Sequence, residues 1–406
     1  MQLPHYVKKV ISALESAGYE AYCVGGCVRN FLLNLPVSDY DITTSALPEQ
    51  VKKALYPCKI IETGLVHGTV TAVIDNTPIE ITTFRSDCGY SDHRHPDSVS
   101  FAKALKEDLS RRDFTVNALA FNEKSGIIDL FGGRADLEKR LIRCVGEPKV
   151  RFSEDALRIL RALRFAACLG FSIEEKTAAA IKDNFRLLSF VSKERIYSEL
   201  SKLVCGKNAP EIIKLFSEVI AFCLFPQEEG HSAKVKVAAP TLSHLPQTPA
   251  LRYCALLRFV KASPIESAQC AEKALHALKA DKKTRNAVFS LLSSLPLKKA
   301  VDRHAVKELL REHGWQKLVD LILLERALSS QNDEPLSFIE TEMEDIIKSG
   351  ECFSLSSLKI NGDDLAALGF EPNTIGDTLN SLLSLVILEK LENSPRQLLS
   401  AAKKLK

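Results

Sequence analysis

The residues best suited to chemistry lie between Val24 and Thr44, in the run VGGCVRNFLLNLPVSDYDITT. Asp39 and Asp41 flank a single residue, and in a β-strand alternate side chains share a face, so the two carboxylates would project together. Side by side they repel unless something positive lies between them. A divalent metal carrying a nucleoside triphosphate suits the gap, because Mg²⁺ takes oxygen ligands, commonly one or two carboxylates plus phosphates. Gly25 and Gly26 follow an apolar run, with Arg29 just beyond. Glycines let backbone approach phosphate oxygens closely, and a helix starting there would aim its N-terminus at the anion.

Two further stretches carry charge in chemically useful order. In DLSRRDFTVNALAF, residues 108–121, the adjacent Arg111 and Arg112 followed by Asp113 could orient triphosphate oxygens and a ribose hydroxyl. In SEDALRILRALRF, residues 153–165, Asp155, Arg158, Arg161 and Arg164 recur every third residue, which predicts one slowly drifting stripe of a single helix. Leu157, Leu160 and Leu163 then form the neighbouring stripe and pack inward. The same spacing also suits a solvated, salt-bridged face. Cytosine and adenine each present an exocyclic amino donor beside a ring-nitrogen acceptor, whereas uracil and guanine present the reverse. A fixed carboxylate beside a fixed guanidinium therefore suits C and A, and a mispaired buried polar group costs about 1–3 kcal/mol. Asp155 and Arg158 can supply that pair.

These groups need a scaffold. Residues 4–18 read as an amphipathic helix with Val7, Val10, Ile11 and Leu14 inward, residues 20–24 as a short strand, and Tyr40 to Thr43 as the strand bearing the carboxylates. Leu47-Pro48-Glu49 opens another helix, with Ser45 as its cap. Residues 68–84 alternate strictly, with a turn at Asp75 to Pro78, and predict a β-hairpin in an antiparallel or mixed sheet. That alternation puts Glu80 on the face opposite Ile79 and Ile81, where it is either a third acidic group near the metal or a solvent-facing strand residue. Residues 85–99 have no apolar period and predict a polar loop. Beyond about Gly146 the period changes from 2 to 3.6, so the rest of the chain reads as all helix, with the best internal boundary between Glu228 and Pro249.

Composition narrows the class. With 406 residues the chain has room for two to four domains, and 46% hydrophobic and 26% charged residues describe an ordinary globular protein. A net charge of +3 is only mildly basic, so nucleic-acid binding would have to come from local clusters such as Lys279, Lys282, Lys283 and Arg285, or Lys298 and Lys299. The eleven cysteines form no C-x-x-C pair. They read as reduced core residues of a cytoplasmic protein, and no structural zinc site is expected. No apolar run reaches membrane-spanning length, and no signal-peptide pattern opens the chain.

The glycine pair, Asp39/Asp41, His67-Gly68-Thr69, Arg111-Arg112-Asp113-Phe114-Thr115-x-Asn117-Ala118 and Glu154-Asp155-x-x-Arg158 together resemble the DNA polymerase β-like nucleotidyltransferases. The likeness is strongest to the class II branch of tRNA CCA-adding enzymes and bacterial poly(A) polymerases. The resemblance is specific over residues 20–170 and rests on pattern alone after about residue 206. It implies an α+β fold: a polymerase β-like nucleotidyltransferase head with a mixed sheet over residues 1–145, then an all-helical neck (146–205), RNA-binding body (206–345) and tRNA-binding tail (346–406). It implies catalytic, metal-binding Asp39 and Asp41 with Mg²⁺, and nucleotide binding by Gly26, Arg29, Arg112, Asp155, Arg158, Arg161 and Arg164. The expected substrates are tRNA, CTP and ATP. One departure is Asn30, where the family usually has Asp after the arginine; Asn keeps the size and one acceptor but not the charge. The full-length 85–99 segment speaks against a CC-adding enzyme, while an A-adding enzyme or a poly(A) polymerase shares the core. A non-catalytic RNA-binding protein is the reading from a different class. The absence of any His-Asp dipeptide argues against an appended metal-dependent phosphohydrolase domain.

Overall fold

In the computed structural model, which describes residues 2–65, 68–88, 98–102, 104–329 and 334–406, helix α1 (His5–Ser16) buries Val7, Val10, Ile11 and Leu14. Their i, i+3, i+4, i+7 spacing gathers them on one face. There follow β1 (Ala21–Val24), α2 (Gly26–Leu32), β2 (Asp41–Thr44), α3 (Pro48–Ala54), β3 (Lys59–Gly64), β4 (Thr69–Ile74) and β5 (Thr77–Thr83). Ser45 does not cap α3. Its hydroxyl accepts from the Glu20 N–H at 2.9 Å, and the start of the helix is closed by Gln50 Oε1 accepting from the Leu47 N–H at 2.8 Å. The β4–β5 hairpin has the expected alternation, with Val70, Ala72, Ile74, Ile79 and Ile81 all buried. Its turn is tighter than expected. Asp75 and Asn76 both adopt positive φ, as a two-residue turn that follows strand twist requires, so Thr77 and Pro78 already belong to β5.

The polar segment after residue 85 is a ribbon rather than a plain loop. Strands β6 (Arg85–Cys88) and β7 (Ser98–Phe101) pair antiparallel, stitched by the Ser86 and Ser100 hydroxyls at 2.7 Å. β6 has no apolar alternation, and four residues of alternation in β7 are too few to reveal the pairing. The part of this segment between the strands, residues 89–97, and His67 lie outside the described residues. Then come α4 (Leu105–Ser110), a 3₁₀ turn (Thr115–Asn117), β8 (Leu119–Asn122), β9 (Gly126–Asp129) and α5 (Gly133–Glu138). The seven-stranded sheet runs β3-β4-β5-β2-β1-β8-β9. Its β2–β5 pair is parallel and the other pairs are antiparallel, which makes it a mixed sheet. One apolar core gathers Val24 and Ala120 from the sheet with Phe84, Leu105, Leu109, Ala118 and Val145.

Among the described residues past Gly146, the only strand is one of two residues and the regular elements are otherwise helical. β10 (Leu141–Ile142) pairs in parallel with β11 (Ser172–Ile173). Between these lie α6 (Pro148–Glu154) and α7 (Leu157–Leu169), and after them α8 (Glu175–Asn184) and α9 (Lys193–Val204). The single helix expected over residues 153–165 is two helices. Asp155 is extended at φ −135°, ψ 102°, and its Oδ1 accepts from the Leu157 N–H at 3.1 Å. Such a local side-chain bond competes with helix continuation and starts the next helix instead. Leu157, Leu160 and Leu163 are buried as expected.

The chain divides into two compact units, Met1–Pro240 with Ala274–Ala280, and Thr241–Lys273 with Asp281–Lys406. The sheet and α1 to α9 belong to the first, which also holds α10 (Ala209–Leu215), α11 (Ser217–Leu224) and α12 (His231–Ala238). The second is helical to its end. There Leu365, Leu382, Leu383, Ile387 and Leu398 close a small core of their own.

Candidate active site

The parallel pairing of β2 with β5 sets the acidic edge. Asp41 lies directly opposite Glu80 in the register, and Thr43 opposite Thr82, so all four share one face. Asp41 opens the strand and Asp39 lies two residues before it, both exposed to solvent. The segment between is steadied by Tyr40, whose ring meets Tyr6 of α1 edge-on at 6.2 Å. Burial on its protein side pushes the Asp41 carboxyl above the ordinary carboxylate range; Glu80 adds to the rise, Arg112 opposes it and Asp39 adds a little more. Glu80 therefore joins the acidic edge electrostatically. Among the described residues, no three His, Cys, Asp or Glu side chains are grouped to hold a metal by themselves. Two hard carboxylates close together are a donor set that fits Mg²⁺, which commonly takes one or two carboxylates and completes its shell with water and other oxygen ligands.

Below the edge, Asp108 is wholly buried. It accepts from Thr43 Oγ1 at 3.2 Å, from Arg111 Nη2 at 2.7 Å and from Arg112 Nη2 at 3.3 Å. Burial works against its charge, but the two guanidiniums prevail and its carboxyl lies below the ordinary range. Arg112 is thus anchored from beneath, and its Nε is buried with no hydrogen-bond partner. Of the two glycines, Gly25 meets the conformational demand. At φ 75°, ψ −125° it occupies a region that is in essence glycine's alone, and a Cβ there would sit 3.1 Å from Arg112 Nη1. Gly26 starts α2, and a Cβ on it would lie 3.7 Å from Arg29 Nη2.

The other predicted cations converge on a ring that the sequence reading passed over. The guanidiniums of Arg29, Arg161 and Arg164 lie 5.0, 5.3 and 4.1 Å from the Phe165 centroid, where the negative face of the ring favours them. Each also has a polar partner. Arg29 donates to Asn117 Oδ1 at 2.6 Å and, through Nε and Nη2, to Asn30 Oδ1 at 3.1 and 2.8 Å. The acceptor that Asn30 retains is the one in use. Arg161 Nε donates to Asp113 Oδ2 at 2.8 Å, and Arg164 Nε lies 2.6 Å from Glu199 on α9. Burial draws the Arg29 guanidinium down to about 10, with Arg164 and Arg161 adding to the drop and Asp113 resisting it. Asp113 also accepts from Asn117 Nδ2 at 3.0 Å and from the Phe114 N–H at 2.8 Å. Burial opposes its ionisation, but Arg161 and Asn117 outweigh that and hold it at about 2.

The two residues of the expected base-reading pair have separate side-chain partners. Asp155 Oδ2 takes Arg195 Nη2 of α9 at 3.0 Å. Arg158 donates to Glu154 Oε2 at 2.5 Å, to the Arg151 carbonyl at 3.2 Å and to the Arg111 carbonyl at 2.9 Å. The last bond ties α7 to the Arg111–Arg112 segment. Asp108, Glu199, Arg195 and Phe165 thus touch the predicted site residues although no motif reading singled them out. The only trace available beforehand was a set of charged residues inside otherwise apolar helices.

The family matches follow this geometry. The family described as Poly A polymerase head domain matches residues 21–143, the probable RNA and SrmB-binding site of polymerase A matches 170–226, and the putative tRNA nucleotidyltransferase domain 2 matches 255–402. The CCA-adding enzyme of Limosilactobacillus fermentum is 38% identical over 401 residues, which cover 97% of this chain and 95% of that protein. The chain belongs to the CCA-adding enzyme family. It is a nucleotidyltransferase, with the α+β fold of that family. The CCA-adding enzyme of Lactobacillus delbrueckii subsp. bulgaricus is 54% identical over 207 residues, 51% of this chain and 52% of that protein. The Bacillus stearothermophilus CCA-adding enzyme, solved in complex with CTP, superposes with a TM-score of 0.80 at 31% identity, covering 100% of this chain and 98% of that one. The Thermotoga maritima CCA-adding enzyme complexed with tRNA shares the fold, with a TM-score of 0.67 at 22% identity over the whole of both chains.

Three residues of the basic clusters of the helical half have internal partners. Lys279 pairs with Glu194 at 3.6 Å, Arg285 with Glu272 at 2.7 Å and Lys298 with Glu312 at 2.7 Å. Among the described residues no helix is long and apolar enough to cross a membrane, and ten cysteines are free thiols.

Proposed function

We propose that this nucleotidyltransferase adds C, C and A in turn to the 3′ end of tRNA, using CTP and ATP and no nucleic-acid template. The observation that carries the reading is the Arg111–Arg112 segment. Its side chains are fixed on Asp108 beneath the acidic edge, and its backbone carbonyl holds Arg158 of the base-reading helix. Triphosphate and base are thereby gripped from one rigid segment.

Asp39 and Asp41 hold the metal side of the site. Bound Mg²⁺ would activate the tRNA 3′-hydroxyl and steady the departing pyrophosphate during in-line attack on the α-phosphate. Gly25 and Gly26 bring backbone close to the triphosphate, and Arg29 and Arg112 counter its charge. Arg161 and Arg164 complete the cationic wall, kept in place by Asp113, Glu199 and the Phe165 ring. Asp155 accepts the exocyclic amino group of cytosine or adenine, and Arg158 donates to the adjacent ring nitrogen. The head, neck, body and tail divide at residues 145, 205 and 345, with the helical body and tail meeting the tRNA. A cytoplasmic location suits the free thiols.

Product sequencing tests this. Purified protein with Mg²⁺, CTP and ATP is given one tRNA lacking all of CCA and one ending in CC. Extension of the first to CCA is the expected result. Addition of a single A to the second alone would make the protein an A-adding enzyme. Asp41→Ala should lower incorporation by at least about 100-fold, as loss of a metal-holding carboxylate does in metal-assisted displacement; near-normal incorporation would remove Asp41 from the mechanism.

A further inference from the structure

A buried carboxylate needs one cation to balance it. Asp108, wholly buried on α4, has two. Arg111 meets it closely, with Nε at 3.0 Å and Nη2 at 2.7 Å from Oδ1, and that contact already offsets its charge. Arg112 Nη2 approaches the other oxygen, Oδ2, at 3.3 Å. Two guanidiniums on one carboxylate leave a surplus of positive charge, and Arg112, the more loosely held, carries it. The Arg112 side chain is 20% exposed, so it still meets solvent. Its other holds are few. Nε is buried with no hydrogen-bond partner, and Nη1 lies against Gly25, 3.1 Å from where a Cβ would stand. The guanidinium is therefore wedged between the glycine loop and Asp108.

Asp108 also reaches the strand of the metal carboxylates. Thr43 Oγ1 lies 3.2 Å from Asp108 Oδ2 and 3.2 Å from the Thr82 carbonyl, so one hydroxyl proton serves two acceptors. Thr43 is buried and stands two residues along β2 from Asp41, on the same face. The same oxygen of Asp108 thus takes Thr43 from one side and Arg112 from the other, and joins the Asp41 strand to the guanidinium beside the glycine loop. A core position without such a duty is filled as well or better by an apolar side chain of similar size. We propose that Asp108 is the positioning residue of the triphosphate grip, setting Arg112 in register with the Asp41 strand through Thr43. The inference rests on the reading of Arg112 as a triphosphate ligand and of Asp41 as a metal ligand. Asp108 acts through its neighbours: it fixes the spacing between the cation that meets the phosphates and the carboxylate that meets the metal, so that both accept one nucleotide together.

The test uses the full chain. Calorimetry measures the binding of CTP and of CMP without metal, and single-turnover incorporation with Mg²⁺ and a tRNA lacking CCA gives KM and kcat for CTP. The proteins are the unchanged chain, Asp108→Asn, Thr43→Val, the double variant Thr43→Val/Asp108→Asn, and Arg112→Gln. Asp108→Asn keeps the shape and is expected to weaken CTP by about 10-fold and CMP by less than about 2-fold, because only the outer phosphates lose a charge-assisted partner. Thr43→Val should leave metal-free CTP binding as it is and raise KM for CTP with Mg²⁺ by about 3-fold at unchanged kcat. In the double variant KM should equal that of Asp108→Asn, because a residue acting through another adds nothing once that one is changed. Equal weakening of CTP and CMP by Asp108→Asn would reduce Asp108 to a structural residue. A Thr43→Val effect that persists in full in the double variant would assign it to the Thr82 carbonyl and break the link to Asp108. If Asp108→Asn does not fold, Thr43→Val decides alone, and an unchanged KM overturns the proposal. Arg112→Gln with CTP binding unchanged would instead overturn the triphosphate role of Arg112, and the proposal with it.

Discussion

Replacing Asp113 by Asn keeps the shape and removes the charge at the junction of the 3₁₀ turn, Arg161 and, through Asn117, Arg29. Asp113 is 9% exposed, so solvent screens it little. A carboxyl held at about 2 against an ordinary 3.8 reports a preference of the folded state for the charged form. At 1.36 kcal/mol per pH unit this amounts to about 2–3 kcal/mol. The sign follows from the direction of the shift. With the folded value depressed, the stabilisation is fully present above the unfolded value and is lost as pH falls through the folded one. Asp113→Asn should therefore cost about 2–3 kcal/mol at pH 7, and the gap should close between about pH 5 and pH 2. The assay is urea unfolding of both proteins across that range. Strand circular dichroism follows the first unit, which holds the whole sheet, while emission from Trp315, the only tryptophan, follows the second. The strand signal should shift and the Trp315 signal should not. A difference that stays constant from pH 7 to pH 2, or one below about 0.5 kcal/mol at pH 7, would refute the reasoning.

Two further changes probe the loop and the neck. Gly25→Ala places a methyl at φ 75°, 3.1 Å from Arg112 Nη1; it should cost about 1–3 kcal/mol in thermal unfolding and raise KM for CTP and ATP alike. Leu160→Ala removes a fully buried side chain from α7. It should cost about 2–5 kcal/mol, lowering the melting temperature of the first unit by about 5–15 °C, while the preference for CTP over UTP stays as it was.

What could be read beforehand was what a local period or a short motif encodes. The β4–β5 hairpin announced itself because Val70, Ala72, Ile74, Ile79 and Ile81 alternate and all point into the core. The α1 face was equally plain. The triplet spacing of Asp155, Arg158, Arg161 and Arg164 misled, because it suits one continuous helix as well as a helix entered through a capping Asp. The clue was the preference of Asp for the cap position ahead of an apolar run. The β6–β7 ribbon had a weaker clue, since its partners lie 10–16 residues apart and each strand is only four residues long, with no apolar alternation in β6. Asp108 and Glu199 were hidden for another reason. Arg164 meets Glu199 only once α7 and α9 are packed, and although Asp108 pairs locally with Arg111 and Arg112, three and four residues on, its complete burial comes from the assembled head. Burial of a charge is a property of the assembled fold and leaves no mark on the neighbouring residues.

The strand order has a consequence for the chain as it is being synthesised. β1 ends at Val24, yet one of its two neighbours, β8, begins at Leu119, and the carboxylate-bearing β2 needs β5, which ends at Thr83. At about 5–20 residues per second, β1 leaves the ribosome on the order of 5–20 s before β8 can cover it. During that interval the emerging chain presents an unpaired apolar edge, the feature that most readily recruits a second copy. The acidic edge is likewise delayed: Asp41 cannot be set opposite Glu80 until β5 has emerged, some forty residues after β2.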